Sequence, residues 1–328
     1  MPVQITIIGL GQTGGSFGLA LAAHKDKIFV TGHDKEIGIE RLAKKKGAVD
    51  ATNHNLPASV ENADLILLAV PVHQVQETFK YISLDIKKDA VVVDLSPVKS
   101  EVAKWARELL PAHCHYVGLV HAIGPLYLNQ TETGLDAARA DLFSHGVFML
   151  SAPPGTPGAA IKLVADFVSL LGATAMMTDL VESDGLMTSA HLLPQLTSAS
   201  LLSATIGQPG WQEVRKVASR AYYTATAAFG EDGDAEALSM LTLHNRENIV
   251  RGMDRLIESL VALRDDIEDG NEEALKHRLT TAQRERAQWI GERGRGDWSE
   301  EEKQPVEKLT LMQRMFGTGI GRSARKDG

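Results

Sequence analysis

The stretch Ile5-Thr-Ile-Ile-Gly-Leu-Gly-Gln-Thr-Gly-Gly-Ser-Phe-Gly18 decides the fold. An apolar, β-branched run, Ile5 to Ile8, meets Gly9, Gly11 and Gly14, and a helix-like segment follows over residues 16–23. This is strand, Gly-x-Gly-x-x-Gly turn, helix. Gly9 allows the tight turn out of the strand, Gly11 lets a pyrophosphate approach bare backbone, and Gly14 lets the helix pack close to the sheet. The helix N-terminus offers free N–H groups and a positive dipole end to phosphates. Leu10, Gln12 and Thr13 complete the loop that would hold them. A second β-like run ends at Asp34, twenty residues after Gly14, where a carboxylate meets adenosine ribose hydroxyls. Asp34 favours NAD, because a carboxylate repels a 2′-phosphate. Lys35 and Arg41 lie close by and keep NADP open. A glycine-rich turn with no ligand is the competing reading. Strand, turn, helix, strand and acid occurring in order count against it.

Working outward, the pattern alternates. A helix is expected over 37–46, a strand buried on both faces over 64–70, a helix over 72–83, a strand over 90–94 and a helix over 98–109. Further strands fall at 116–120 and 146–150. The Pro- and Gly-rich segment 153–158 is the strongest punctuation; a helix over 159–171 and a short strand over 174–177 follow it. From Glu182 the periodicity is helical only, over 183–203, 211–228, 235–267 and 272–291, with breaks at 230–234 and 270–271. The expected class is α/β. A doubly wound Rossmann-type dinucleotide-binding domain spans 1–180, and an all-α domain for substrate and dimerisation spans 181–300. A charged tail, 301–328, carries a short amphipathic piece over 306–316. Ligands in such sheets sit beyond the strand carboxyl ends, where Gly9, Asp34, Val70, Asp94 and His121 fall. Val70 and Pro71 therefore join the cofactor set.

A net charge of −8 over 328 residues argues against a general nucleic-acid binder, so an anionic substrate needs specific cationic residues. Cys114 is the only cysteine, which rules out an intrachain disulfide and suits a reducing cytoplasm. The chain enters its first strand at once, leaving no room for a signal peptide, and no apolar run is long enough to span a bilayer. His24, His33 and His54 are scattered, no Cys/His set has zinc spacing, and Gly-x-Ser-x-Gly is absent as a nucleophile elbow. Met176, Met177 and Met187 read as core. The helices after residue 182 carry more apolar surface than one small core needs, which points to a homodimer.

Three segments stand together: Asp94-Leu-Ser-Pro-Val-Lys99, Val117-Gly-Leu-Val-His-Ala-Ile-Gly-Pro125 and Ser183-Asp-Gly-Leu-Met-Thr-Ser-Ala-His-Leu-Leu-Pro-Gln195. With the glycine loop and Ala69-Val-Pro71, their order and spacing resemble the prephenate and arogenate dehydrogenase family over roughly residues 3–290. The resemblance implies an NAD- or NADP-dependent oxidation of a small-molecule substrate in tyrosine biosynthesis. A hydride leaves the ring carbon bearing the 4-hydroxyl, a histidine takes the hydroxyl proton, and the ring carboxylate departs as carbon dioxide.

The resemblance also implies roles. His121 holds the place of the catalytic histidine, in a segment whose next four residues depart from the family pattern. Pro97 replaces the family serine expected to assist it; Ser96, one residue earlier, is the substitute, or else a helix N-cap before Val98. Lys99 reads as a first-turn surface or packing residue. In the third segment Asp184, Met187, Leu193 and Pro194 match. Ser183 replaces a leading histidine, Leu192 a substrate-binding one and Gln195 the last. His191 is one residue, about 100° of helix, from the lost histidine. His191 and Gln195 are therefore substrate-side candidates. Arg220, with Arg215 second, is the candidate for a substrate carboxylate, where a planar guanidinium pairs in bidentate fashion. These departures leave open a different small hydroxy acid as substrate, or a non-catalytic dinucleotide sensor.

Overall fold

The computed structural model describes residues 2–130, 132–229 and 235–296. The expected amphipathic piece at 306–316, the rest of the tail and the break at 230–234 lie outside the described residues. The chain forms β1 (Val3–Ile8), α1 (Gln12–Leu21), β2 (Ile28–His33), α2 (Ile37–Lys46), β3 (Ala51–Thr52), α3 (Leu56–Val60), β4 (Leu65–Leu68) and α4 (Val72–Ile82). Next come β5 (Val91–Asp94), α5 (Ser100–Leu109), β6 (His115–His121), β7 (Val147–Ser151), α6 (Gly158–Leu170) and β8 (Thr174–Met177). Helices alone follow: α7 (Leu180–Met187), α8 (Leu193–Ile206), α9 (Trp211–Val217), α10 (Arg220–Thr226), α11 (Ala235–His244), α12 (Arg246–Glu268) and α13 (Glu272–Arg295).

One sheet runs in the order β3-β2-β1-β4-β5-β6-β7-β8. Every pairing is parallel except β6 with β7. The order reverses between β1 and β4, so a crevice opens beyond their carboxyl ends, the switch point of a doubly wound sheet. β4 is buried at all four residues, as its unbroken apolar run requires. Two cores cover the two faces. Phe17, Leu119, Phe143, Phe148 and Phe167 belong to one. Phe79, Val92 and Trp105 belong to the other, and Leu192, Leu238, Leu241 and Ile249 of the helical segment join them. The helices after β8 therefore dock on the face covered by α4 and α5.

Four local expectations are corrected. Residues 211–228 form two helices, parted where Ala218 and Ser219 adopt extended ψ and φ/ψ. α9 and α10 have no buried residue, so no packing holds one continuous rod. Residues 235–267 are also two helices, meeting at Asn245. Its buried side-chain amide donates to the Asp184 carbonyl and the Thr188 hydroxyl, both at 2.9 Å, which fixes the break. The helix expected from residue 98 starts at Ser100, because Asp94 and Ser96 hold the preceding loop. Met176 and Met177, on the edge strand β8, are 41% and 57% exposed and not core, whereas Met187 is buried. Among the described residues no helix is long and apolar enough to cross a membrane.

Candidate active site

The glycine turn shapes the first half of the site. Gly9 has φ of +90°, and a Cβ there would lie 2.5 Å from the Ala69 carbonyl oxygen, so β1 can turn beside β4 only without one. At Gly11 a Cβ would meet nothing within 4 Å: the backbone opens onto free space, as a cradle for phosphate requires. Gly14 is buried and Thr13 half-buried at the start of α1. Leu10 is fully buried, so it offers the cleft only its backbone. The Gln12 amide is turned away, toward the Ala137 carbonyl at 3.4 Å. Asp34 follows β2, accepting the Leu10 N–H at 2.8 Å and the Glu36 N–H at 2.9 Å. Of these residues Gly9, Gly11 and Asp34 line a cleft of about 560 Å³ at the β1/β4 switch, together with Val70 and Pro71; Leu10, Gln12, Thr13 and Gly14 do not line it. The cleft fits a dinucleotide by its open glycine backbone and its acid at the ribose end. Its opposite wall went unread in the sequence: Gln74, Glu77, Thr78 and Tyr81 line it from α4. Their 3–4-residue spacing marks one helix face and was the available signal.

Farther along the same edge, His121 is the last residue of β6. Its half-buried ring sits among Phe17, Phe143 and Phe148, with centroids 6.3, 5.6 and 6.1 Å away. Nδ1 is shut off from solvent and has no hydrogen-bond partner. Burial pushes the imidazole pKa down to about 4, and the nearby His191 and Lys99 add to the depression. The ring is therefore neutral at physiological pH and able to accept a proton.

Beneath it lies a buried polar knot. Lys99, read as a first-turn surface or packing residue, is fully buried, and its Nζ donates to Asp94 Oδ2 at 2.6 Å and to the Asp94 carbonyl at 2.8 Å. Gly118 makes room: a Cβ there would stand 2.7 Å from Lys99 Cδ. Burial lowers the Lys99 pKa, opposed by the Asp94 charge. Ser96 does not cap a helix. Its hydroxyl donates to Asp94 Oδ1 at 2.7 Å, and its N–H to the same oxygen at 3.0 Å. That hydroxyl is committed to Asp94 and makes no bond to His121. The N-terminus of α5 is capped instead from α7. The Asp184 carboxylate accepts the Lys99 N–H at 2.5 Å and the Ser100 N–H at 3.1 Å.

The third segment resolves differently from its spacing. A π-turn over Thr188–Leu192 shifts the register between α7 and α8. Leu192 is fully buried in the core, so the position of the lost histidine does not face the cleft. His191 is the exposed neighbour whose charge is felt at His121. The protein mass around His191 nonetheless lowers its own pKa through desolvation. Gln195 donates from Nε2 to the His191 carbonyl at 3.0 Å. Ser183 is fully buried, with its hydroxyl unpaired. Arg220 and Arg215 are exposed on α10 and α9, and among the described residues no hydrogen bond or ion pair ties either to the site. A different arginine arrives there. Arg293, near the end of α13, is 9% exposed and donates from Nη2 to the Ile123 carbonyl at 2.7 Å, two residues past His121. Among the described residues no carboxylate lies within ion-pair distance of it, and burial lowers its pKa. No sequence signal marked it.

A glycine-turn cleft at the switch point and a neutral histidine at the end of β6 define a dinucleotide-dependent oxidoreductase with a helical C-terminal region. Residues 17–177 match the family model described as prephenate dehydrogenase, nucleotide-binding domain, a span that starts just past the glycine turn. The chain is 28% identical over 204 residues to the cyclohexadienyl dehydrogenase of Zymomonas mobilis, covering 62% of this chain and 68% of that protein. It is 22% identical over 295 residues to the prephenate dehydrogenase of Bacillus subtilis, covering 86% and 75%. The solved prephenate dehydrogenase from A. aeolicus, in complex with hydroxyphenyl propionate and NAD+, is similar at a TM-score of 0.77 and 22% identity, over 88% of this chain and 98% of that one. Synechocystis arogenate dehydrogenase is similar at 0.69 and 20%, over 88% and 100%. The chain is thus similar to prephenate dehydrogenases, through the nucleotide-binding domain that its residues 17–177 match and through these relatives.

Proposed function

We propose that this chain is a cytoplasmic NAD-dependent dehydrogenase that converts prephenate or arogenate by oxidative decarboxylation in tyrosine biosynthesis. The observation that carries the reading is His121: a neutral imidazole in an aromatic cage at the carboxyl end of β6, one strand beyond Asp94. NAD+ along the glycine turn supplies the hydride acceptor for the ring carbon that bears the hydroxyl. Because Nδ1 is enclosed, Nε2 is the nitrogen that takes the hydroxyl proton. As the C–O bond becomes a carbonyl, the bond to the ring carboxylate breaks and carbon dioxide leaves. The electron pair of that bond passes through the ring to the carbonyl oxygen, which becomes a phenolate and takes back the proton held by His121. Gly9 to Gly14, Asp34, Val70 and Pro71 hold the dinucleotide. His191 faces the substrate with Gln195 behind it, and Arg293 is the cation for a substrate carboxylate, in place of Arg220. Ser96 acts only through Asp94. The domains divide near residue 180, and the helical part forms a homodimer, supported by exposed Val250, Ile257, Leu260, Ile267 and Trp289 on α12 and α13.

A second reading keeps the dehydrogenase and changes the acid. The buried Leu192 and the unplaced Arg220 favour it. A cofactor-reduction screen over prephenate, arogenate and other small hydroxy acids, with His121→Ala as control, separates the two. Reduction with neither ring acid sinks the first reading, and reduction with none of the acids sinks both.

A further inference from the structure

Behind Asp34 stands a second acid that the glycine motif does not contain. Glu40 lies in the first turn of α2 and is 2% exposed. Its Oε1 accepts the Asp34 N–H at 3.1 Å. His54 Nδ1 stands 3.2 Å from the same oxygen and His33 Nδ1 3.6 Å, while His33 is also 3.0 Å from the Asn53 carbonyl. Placing a carboxylate out of water is costly unless donors and dipoles receive it. Here the helix N-terminus and the Asp34 amide do so. The outcome is an acid whose charge solvent and salt screen poorly, lodged against the backbone of the residue that meets the ribose. The Asp34 carboxylate itself points to the glycine loop and lines the cleft, and Glu40 stands buried behind it, outside the lining. Glu77 adds a third acid on the opposite wall. The nearby cations, Lys35 and Arg41, are both exposed, and among the described residues neither pairs with Asp34 or Glu40.

We propose that Glu40 is a specificity-determining residue for the dinucleotide: its buried charge, acting through Asp34, excludes a 2′-phosphate and holds the chain to NAD. This rests on the reading that the cleft takes a dinucleotide, and it deepens that reading to the choice between two cofactors. A purely architectural Glu40 would support both cofactors equally, so the decisive quantity is the ratio of their affinities.

The test is equilibrium binding of NAD+ and NADP+ to the full chain by calorimetry, without substrate. Glu40→Gln keeps an acceptor for the Asp34 N–H and removes the charge. NADP+ should then bind about tenfold or more tightly, with NAD+ within about threefold of wild type. Glu40→Asp keeps the charge and should keep NADP+ excluded. If Glu40→Gln shifts both affinities by one factor, or Glu40→Asp admits NADP+ as readily as Glu40→Gln, the proposal is overturned. A wild-type measurement covers the case in which Glu40→Gln fails to fold. The NAD+/NADP+ affinity ratio should survive half-molar salt, because a buried charge is not screened away. A ratio that collapses toward one places discrimination in exposed charges and also overturns it. Wild-type protein that binds neither cofactor sinks the dinucleotide reading itself.

Discussion

The two ends of the cleft are built by different means. At the cofactor end the work is done by contiguous backbone. Gly9 turns the chain at φ +90°, Gly11 exposes bare amide, and Asp34 closes the loop through the Leu10 N–H. At the proposed substrate end the candidates are side chains from separate elements: His121 from β6, His191 from the π-turn and Arg293 from α13. A backbone cradle tolerates little change, since a Cβ at Gly14 would fall 1.9 Å from the Gly9 carbonyl oxygen. A side-chain constellation can lose a member and recruit another from a neighbouring turn. That difference explains why the glycine motif is intact while Pro97, Leu192 and Gln195 all depart on the substrate side.

The comparison breaks first at His121, where the largest effect is expected. His121→Asn should reduce kcat by about 10²–10⁴-fold, the usual worth of a positioned base. NAD+ affinity should stay within about twofold, because the cradle is backbone from another strand. If turnover survives within a few-fold, the base lies elsewhere and His191 is the next candidate.

The seam between the two halves comes next. Asp184, on α7, accepts two N–H groups at the start of α5. Asp184→Ala leaves both donors without partners, the Lys99 N–H buried and the Ser100 N–H half-buried, at a cost of roughly 1–3 kcal/mol for each fully buried donor and less for an exposed one. A loss of about 2–5 kcal/mol in denaturant unfolding is expected. A change below about 0.5 kcal/mol would mean that α5 is held without its cap and that the helices dock independently.

These residues also mark how far the sequence could be read. The glycine turn and its acid were legible because their signal is local: glycines and an acid at fixed spacing after a strand. The sheet was legible for the same reason, each strand being a short β-branched or apolar run. Lys99 was not, because its burial depends on Gly118 and Asp94, which only strand pairing brings beside it. His191 and Leu192 exchange roles through a π-turn, and an inserted residue in a helix leaves spacing unchanged on the page. Asn245 breaks a helix by bonding across to Asp184 and Thr188, a long-range cause with no local trace. Arg220 was chosen from a loose likeness, whereas Arg293 has its place through a carbonyl contact 170 residues away in sequence.

Arg293 sharpens the comparison at about tenfold. Arg293→Gln keeps a donor for the Ile123 carbonyl and removes the charge. KM for the ring acid should rise about tenfold, as loss of a charge-assisted hydrogen bond implies, with kcat and NAD+ affinity within about threefold. Arg220→Ala measured beside it should change KM by less than about twofold. The reverse pattern would return the carboxylate site to Arg220.

The smallest effect expected is in the pH profile, and its sign follows from the aromatic cage. A base must be neutral to accept a proton. At an ordinary histidine pKa near 6.5, kcat/KM would fall severalfold between pH 8 and pH 6. In this chain burial depresses the His121 pKa to about 4, so the ring stays neutral across that interval. The acid limb is reached only as pH drops through about 4, where the imidazolium forms. kcat/KM reports the free enzyme, so between pH 8 and pH 6 it should change less than about twofold. A bound substrate carboxylate favours the imidazolium, so the acid limb of kcat should lie at higher pH than that of kcat/KM. His121→Asn should abolish both limbs in whatever activity remains. A limb in kcat/KM near pH 6.5 would show that His121 is solvated in the free enzyme. The substrate end would then be an open, water-filled site, unlike the enclosed one described by Phe17, Phe143 and Phe148.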